Sequence, residues 1–308
     1  MSNNRGALKY YITYPLQAIF VAFVYGFFRI LPISVASAIG SIIGRTIGPQ
    51  LFVTKRAKQN LMTVFPEKSS IEIQTIICAM WDNLGRTAAE YPHVPQINTT
   101  RSSGRVNVIR GDIYETVRDA GGPCIIFSGH FANWELLPAS AAQRGLSTTV
   151  VYRAANNPMV DWLFRRRSGH HDASIAPKGA QGARVLLKAL KEGKALGILV
   201  DQKMNDGIAI PFFGRNAMTA PAIAELALRS DCPVIPAHVV RTKGANFQII
   251  IEEPLVIKKT GHKKTDIETI MCQINACIEV WVQEHPAQWL WLHNRWPNQE
   301  IKRKEKIK

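Results

Sequence analysis

The chain has 308 residues, 46% hydrophobic and 20% charged, a globular composition long enough for one large α/β domain with a helical extension. Its 38 Lys+Arg against 23 Asp+Glu give a formal net charge of +15, which suits a polyanionic partner: nucleic acid, anionic lipid headgroups or an acidic protein. Five cysteines, an odd number without paired short spacings, argue against a zinc site and read as free thiols of a reducing compartment.

From Tyr14 to Gly48 only Arg29 and Arg45 carry a formal charge, and residues 16–28 carry none. Crossing a bilayer takes about 20 apolar residues. Extended through Leu31, with Arg29 snorkelling to the interface, the segment is expected to span or to lie in one leaflet. A second apolar stretch over 35–47 favours a retained anchor over a removed signal peptide; a buried pair of core helices is the alternative. Arg5 and Lys9 precede the apolar region and Lys55, Arg56 and Lys58 follow it, so the positive-inside rule leaves orientation open. The basic body and free thiols point to the cytoplasmic face. The expected organisation is an anchor over 1–50, a catalytic domain over 51–300 and a basic tail over 301–308.

Apolar residues at 73, 76, 77, 80, 81 and 84 predict an amphipathic helix over 71–90. Pro92, Pro95 and a polar run mark a loop, followed by a strand over 103–110 and a helix over 113–120. Next come a strand over 124–127, a helix over 134–142 capped by Asn133, a strand over 147–152 and helices over 159–167 and 182–192. A strand over 195–200, a helix over 220–229, strands over 234–240 and 247–251 and a long helix over 265–283 complete the order. This alternation predicts an α/β fold, a mixed, mainly parallel sheet flanked by helices, with an N-terminal hydrophobic membrane-anchoring helix.

His130 and Glu135 stand five residues apart where the apolar run 123–127 gives way, through Ser128-Gly129, to a helix start. Histidine is the side chain whose ordinary pKa, about 6.5, suits taking a proton from a substrate hydroxyl. A carboxylate on its other ring nitrogen fixes the tautomer and stabilises the imidazolium, and Glu135 is the expected partner. An arbitrary His-x4-Glu is more often a structural histidine beside a surface glutamate. The position of His130 after a strand, where open α/β sheets hold ligands, favours the catalytic reading.

Other polar groups follow predicted strands and should share that edge: Tyr152-Arg153, Asp201-Gln202 and Arg241. Arg165, Arg166 and Arg167 close a helix, where cations also have a helix-dipole explanation. Lys178-Gly179 lies in a loop, and Pro211-Phe212-Phe213-Gly214 reads as an apolar turn that would line an acyl channel with Phe213. Together these suit an anionic amphiphile, arginines for phosphate and aromatics for hydrocarbon. There is no G-x-S-x-G elbow, Walker loop, G-x-G-x-x-G or H-E-x-x-H, so serine-hydrolase, nucleotide-dependent and zinc-peptidase chemistries lack support.

From the N-terminal apolar segment to the closing Gln288-Trp289-Leu290-Trp291-Leu292-His293-Asn294-Arg295-Trp296, the chain resembles the late acyltransferases of lipid A biosynthesis, the lauroyl and myristoyl transferases of Gram-negative inner membranes. These belong to the glycerolipid acyltransferase group with its His-x4-Asp/Glu motif. The matching stations are Gly129-His130 with Glu135, Tyr152-Arg153 leading to Asn157-Pro158, Asp201-Gln202 and Pro211-Phe212-Phe213-Gly214. The resemblance implies that His130 deprotonates an acceptor hydroxyl while Glu135 orients it, and that the alkoxide attacks an acyl-carrier-protein thioester without metal or cofactor. It also implies roles for an aspartate at Asp201 and for an arginine whose position aligns with Ser168, next to Arg167, the candidate here. Arg153, Arg166, Arg167, Lys178, Asp201 and Phe213 are the expected substrate-binding residues. The implied partners are acyl carrier protein, a phosphorylated glycolipid acceptor and anionic inner-membrane lipids, all drawn to a +15 chain. No nucleic-acid partner is expected: that reading rests on net charge alone, and the long apolar N-terminus argues against it. Two other readings stay open: transfer to another glycolipid or an amine-bearing lipid, and a non-catalytic lipid-binding adaptor.

Overall fold

The structure, a computed structural model, describes residues 9–100, 104–151, 155–167, 174–176 and 180–296. Its centre is a seven-stranded sheet of β1 (Val106–Ile109), β2 (Cys124–Ser128), β3 (Thr148–Val151), β4 (Ser174–Ala176), β5 (Ala195–Leu199), β8 (Val234–Lys243) and β9 (Asn246–Ile251). The spatial order is β1-β9-β8-β2-β5-β3-β4, with every neighbouring pair parallel except β8 and β9. The mixed, mainly parallel sheet expected from the sequence is present. The carboxyl ends of β2, β3, β5 and β8 therefore share one edge, and so does the amino end of β1.

Every residue of β2 is buried, as a central strand covered on both faces requires. Its side chains alternate between two cores: Ile125 and Phe127 join one, Cys124 and Ile126 the other. The first core is covered by α10 (Lys263–Glu284), which inserts Ile267, Ile270, Met271, Ile274, Ile278 and Trp281 at helical spacing. The second is covered in part by α5 (Asp112–Ala120), through Ile113 and Tyr114, and by α6 (Leu136–Gln143), through Leu136, Leu137 and Ala141.

Two N-terminal helices, α1 (Tyr14–Ile30) and α2 (Ile33–Ile47), differ in their packing. α2 crosses α4 (Ser70–Glu90) along a seam of Ala36, Ser37, Gly40, Ser41 and Gly44, all buried. A Cβ on Gly40 would lie 2.3 Å from the Gly85 carbonyl oxygen, and one on Gly85 would lie 2.1 Å from that of Gly40, so only glycine permits this approach. Ser37 Oγ donates to Glu90 across the seam, 2.7 Å. Within residues 1–50, α2 packs against α4 and α1 carries an exposed apolar face.

On α1, Leu16, Ile19, Phe20, Phe23, Phe27 and Ile30 form an exposed stripe at helical spacing. Tyr10–Ile30, 21 residues, is the helix among the described residues that is long and apolar enough to cross a membrane by length and composition. It is tied down at both ends. Asn157, in the segment after β3, donates to Tyr14 O and Gln17 Oε1, and Arg29 donates to Gln96 Oε1 in the segment before β1. Strands at about 4.8 Å spacing put β3 and β1 roughly 24 Å apart, close to the length of a 17-residue helix. α1 is thus held at one end by the segment after β3 and at the other by the segment before β1.

Several details depart from the sequence reading. Asn133 is not a helix cap: α6 begins at Leu136, and the Asn133 amide donates to Glu90 Oε2, 3.1 Å. The apolar turn at 211–214 belongs to a hairpin of β6 (Ile208–Phe212) and β7 (Arg215–Thr219), with Phe213 and Gly214 at positive φ as such turns require. A basic helix, α3 (Thr54–Val64), was not expected at all. The remaining helices are α7 (Pro158–Arg167), α8 (Ala180–Lys191) and α9 (Ala222–Ser230).

Candidate active site

The pairing of β2 with β5 sets Ser128 opposite Leu199. Two residues beyond this pair the chains reach His130 and Asp201, so register alone brings them face to face. Gly129 allows the approach: a Cβ there would lie 2.9 Å from the Phe131 ring and 3.1 Å from Asp201 Oδ2. The backbone N–H of His130 donates to Asp201 Oδ2 and the ring Nδ1 to Oδ1, each at 2.7 Å, and the Trp289 indole donates to Oδ2 at 2.8 Å. Asp201 is fully buried. Burial opposes its charge, but the neighbouring His130, with two hydrogen bonds to the carboxylate, and His293 outweigh burial and hold Asp201 well below the usual carboxylate range.

An ionised Asp201 only accepts, so Nδ1 of His130 carries the proton and Nε2 presents a lone pair. The Gln202 amide, placed by the same loop, donates to that Nε2 at 3.1 Å and to Nε2 of His293 at 3.0 Å. The Trp134 ring packs edge-on against the His130 ring, 5.0 Å between centroids, and His293 packs at 5.4 Å. The ring is mostly buried, and an imidazole whose Nε2 accepts is arranged to take a proton from a hydroxyl that displaces the Gln202 amide.

The closing segment of the chain completes this arrangement. Trp289 bridges Phe131, Leu290 N–H donates to His130 O, and Ala132 N–H donates to Gln288 O. Ala132 sits at φ 45°, a left-handed conformation costly for a residue with a side chain. It is held there by that bond and by Thr87 Oγ1 donating to its carbonyl. Arg295, fully buried, donates to Met218 O, Thr219 Oγ1 and Asn275 Oδ1, tying the segment to the β6–β7 hairpin and α10. Burial pulls its pKa down to about 10, against the pull of Asp201.

Beneath the loop lies a buried ionic network. Arg241, after the core of β8, donates twice to Glu90 and once to Asn83, and Glu90 also accepts from Ser37 and Asn133. Arg241 shares the edge with His130, but its guanidinium is consumed by the α4 carboxylate and supports the loop from below.

Glu135, expected to orient His130, stands at the entrance of α6, where its Oε1 accepts from the Trp134 indole at 3.1 Å. The hydrogen bonds to the ring nitrogens of His130 come from Asp201 and Gln202, so the carboxylate that meets the ring is Asp201, distant in sequence but opposite in register. Phe213 occupies the hairpin turn, its N–H on Glu279 Oε1 and its ring 6.3 Å from Phe65. Arg153 and Lys178 lie outside the described residues, and Arg166 and Arg167 are described only as the last backbone turn of α7. Sequence reasoning assigned no function to Gln202, Trp289 or His293. Their signals were a polar pair directly after a strand and a tryptophan-rich segment dense in polar groups.

Residues 4–298 match the family described as bacterial lipid A biosynthesis acyltransferase. The chain is 27% identical over 257 residues to the lipid A biosynthesis lauroyltransferase of Escherichia coli (strain K12), covering 79% of this chain and 80% of that one. It is 25% identical over 281 residues to the palmitoleoyltransferase of the same organism, covering 88% of each. The myristoyltransferase of that organism is 24% identical over 246 residues, 77% of this chain and 73% of that one. The match runs through the N-terminal helices, the His130 loop and the closing tryptophan segment alike: the chain belongs to the bacterial lipid A biosynthesis acyltransferase family and is an acyltransferase.

Proposed function

We propose that the protein transfers a fatty acyl chain from an acyl-carrier-protein thioester to a hydroxyl of a lipid A precursor, with His130 as general base. The observation that carries this reading is the Asp201–His130–Gln202 alignment, in which Asp201 accepts from the Nδ1 N–H and Nε2 is left as the acceptor, here of the Gln202 amide.

The acceptor hydroxyl replaces the Gln202 amide at Nε2. As its oxygen bonds the thioester carbonyl carbon, its proton passes to Nε2, and the imidazolium is stabilised by Asp201. The freed Gln202 N–H, still tethered at His293, becomes a donor for the oxyanion. Collapse of the tetrahedral centre breaks the C–S bond, and Nε2 returns the proton to the leaving thiolate. Glu135 acts through Trp134, holding that ring against His130. Arg153, Arg166, Arg167 and Lys178 are assigned to the acceptor phosphates, and the net charge of +15 suits an acidic carrier protein.

The exposed apolar stripe of α1 supports a reaction at the surface of the inner membrane, and the basic body with its free thiols supports the cytoplasmic face. The donor assignment is tested by offering purified protein the same acyl chain on acyl carrier protein and on coenzyme A, with a tetra-acylated lipid A precursor. Strong preference for the carrier-protein thioester is expected; equal or better use of the coenzyme A thioester would reject it.

A further inference from the structure

Where α1 turns into α2, a cavity of about 590 Å³ opens, lined by Arg29, Ile30, Leu31, His93, Ile97 and Arg105 among others. Arg29 donates to Gln96 Oε1 at 2.8 Å and Arg105 to Ser34 Oγ at 2.9 Å, both neutral acceptors. Among the described residues neither guanidinium has a carboxylate partner, whereas Arg86 pairs with Asp82, Arg110 with Glu253 and Arg241 with Glu90. Two arginines at one cavity with no described carboxylate partner suit an anion, and guanidinium geometry suits phosphate.

Beside the polar Gln96, Asn98 and His93, the walls carry hydrocarbon surface that a free phosphate ion would not use. Ile30, Leu31, Pro32, Ile33 and Ile97 supply apolar surface, and Ile30 ends the exposed stripe that runs back through Phe27 and Phe23. The carbonyl of Phe28 at the end of α1, which would repel an anion, is engaged by His93 Nε2 at 2.8 Å. Cations at the mouth and hydrocarbon surface leading away match a phosphate headgroup with its acyl chains laid along α1. The cavity sits beside the amino end of β1, three strand spacings, or about 14 Å, from β2, and it contains none of the residues clustered at His130.

We propose that this cavity binds the headgroup phosphate of an anionic bilayer phospholipid, fixing how α1, and with it the catalytic edge, meets the membrane. This rests on the placement of α1 at the bilayer, not on the chemistry at His130.

The test is flotation of the full-length protein with vesicles of phosphatidylcholine alone or with one quarter phosphatidylglycerol. Each cation at an anionic surface strengthens binding severalfold, so Arg29→Gln/Arg105→Gln should lose roughly tenfold or more of its phosphatidylglycerol-dependent binding. Arg29→Gln alone should lose part of it, and Arg29→Lys/Arg105→Lys should recover part. The control is Lys263→Gln/Lys264→Gln, an equal charge change at the start of α10 on the opposite edge, expected to bind nearly as wild type. Acyl transfer in detergent should be unchanged in all of them. Equal binding by the arginine and lysine variants would overturn the site while leaving the membrane reading intact; failure of wild type to float with either vesicle would overturn both. A raised KM for the acceptor in detergent would overturn the phospholipid assignment in favour of the acceptor's own phosphate.

Discussion

Asp201 holds His130 twice, through the backbone N–H and through ring Nδ1, both at 2.7 Å. The double contact fixes the loop and the tautomer with one carboxylate. Asp201→Asn keeps the shape but removes the obligate acceptor, and loss of the corresponding aspartate in a His–Asp pair elsewhere costs about 10⁴ in turnover. A fall in kcat of about 10³ to 10⁴ is therefore expected for Asp201→Asn. Glu135→Gln, which leaves the Trp134 contact possible, should lose far less. Steady-state kinetics on variants of matched circular dichroism decide it, and the reverse order would return the orienting role to Glu135.

Gln202 bridges the two imidazoles, donating to Nε2 of both His130 and His293. If its amide turns to the oxyanion, Gln202→Leu should lower kcat by about 10² with little change in KM, as for other side-chain donors of this kind. His293→Phe keeps a ring beside His130 but removes the tether, and should show a smaller loss of the same type. A pure KM effect in either would place Gln202 in ground-state binding instead.

The fold was legible where pattern is local. The uncharged run at β2, the helical spacing of residues 73–84 and the turn glycines gave most elements within a few residues of their observed ends. What was hidden depends on pairing across distance. Asp201 is 71 residues from His130, and only the β2–β5 register shows that it, not the neighbouring Glu135, meets the imidazole. Arg241 read as a ligand for an anion because nothing in its own segment reveals Glu90 arriving at the end of α4. The β6–β7 hairpin was read as a turn because its centre, Pro211 to Gly214, is also strong turn sequence, and α3 was missed because its 11 residues are short and basic.

The Arg241–Glu90 pair should reveal itself in stability. Both side chains are buried, and removing one partner strands the other's charge, a loss of about 3–5 kcal/mol in comparable pairs. Arg241→Met is expected to lower the denaturant midpoint accordingly. If it instead leaves stability intact and raises only the KM for the acceptor, the arginine belongs to substrate binding.

His238 lies buried on the face of Trp281, 4.4 Å between centroids, with neither ring nitrogen hydrogen-bonded. Glu252 stands 3.6 Å away, too far for a hydrogen bond, with its carboxylate engaged by the Trp281 indole. Burial first, and His285 second, push the imidazole down to about 3. Between pH 6.5 and 3 the unfolded chain then binds a proton that the folded one does not, so this group's contribution to stability is present above pH 6.5 and lost as pH falls. The slope approaches about 1.4 kcal/mol per pH unit. Glu252, pushed up by burial, contributes in the opposite direction. Urea titrations from pH 7.5 to 4.5 should show His238→Phe with a flatter stability profile than wild type; identical slopes would mean that His238 is protonated in the fold.

The most direct test of the account is mass spectrometry of a tetra-acylated lipid A precursor after incubation with acyl-carrier-protein thioesters and purified protein in detergent. Wild type should yield a product heavier by one acyl chain, and folded His130→Ala should yield none above background. Equal product from His130→Ala would remove the base from the mechanism, and no product from folded wild type with any chain length would contradict the proposed donor and acceptor together.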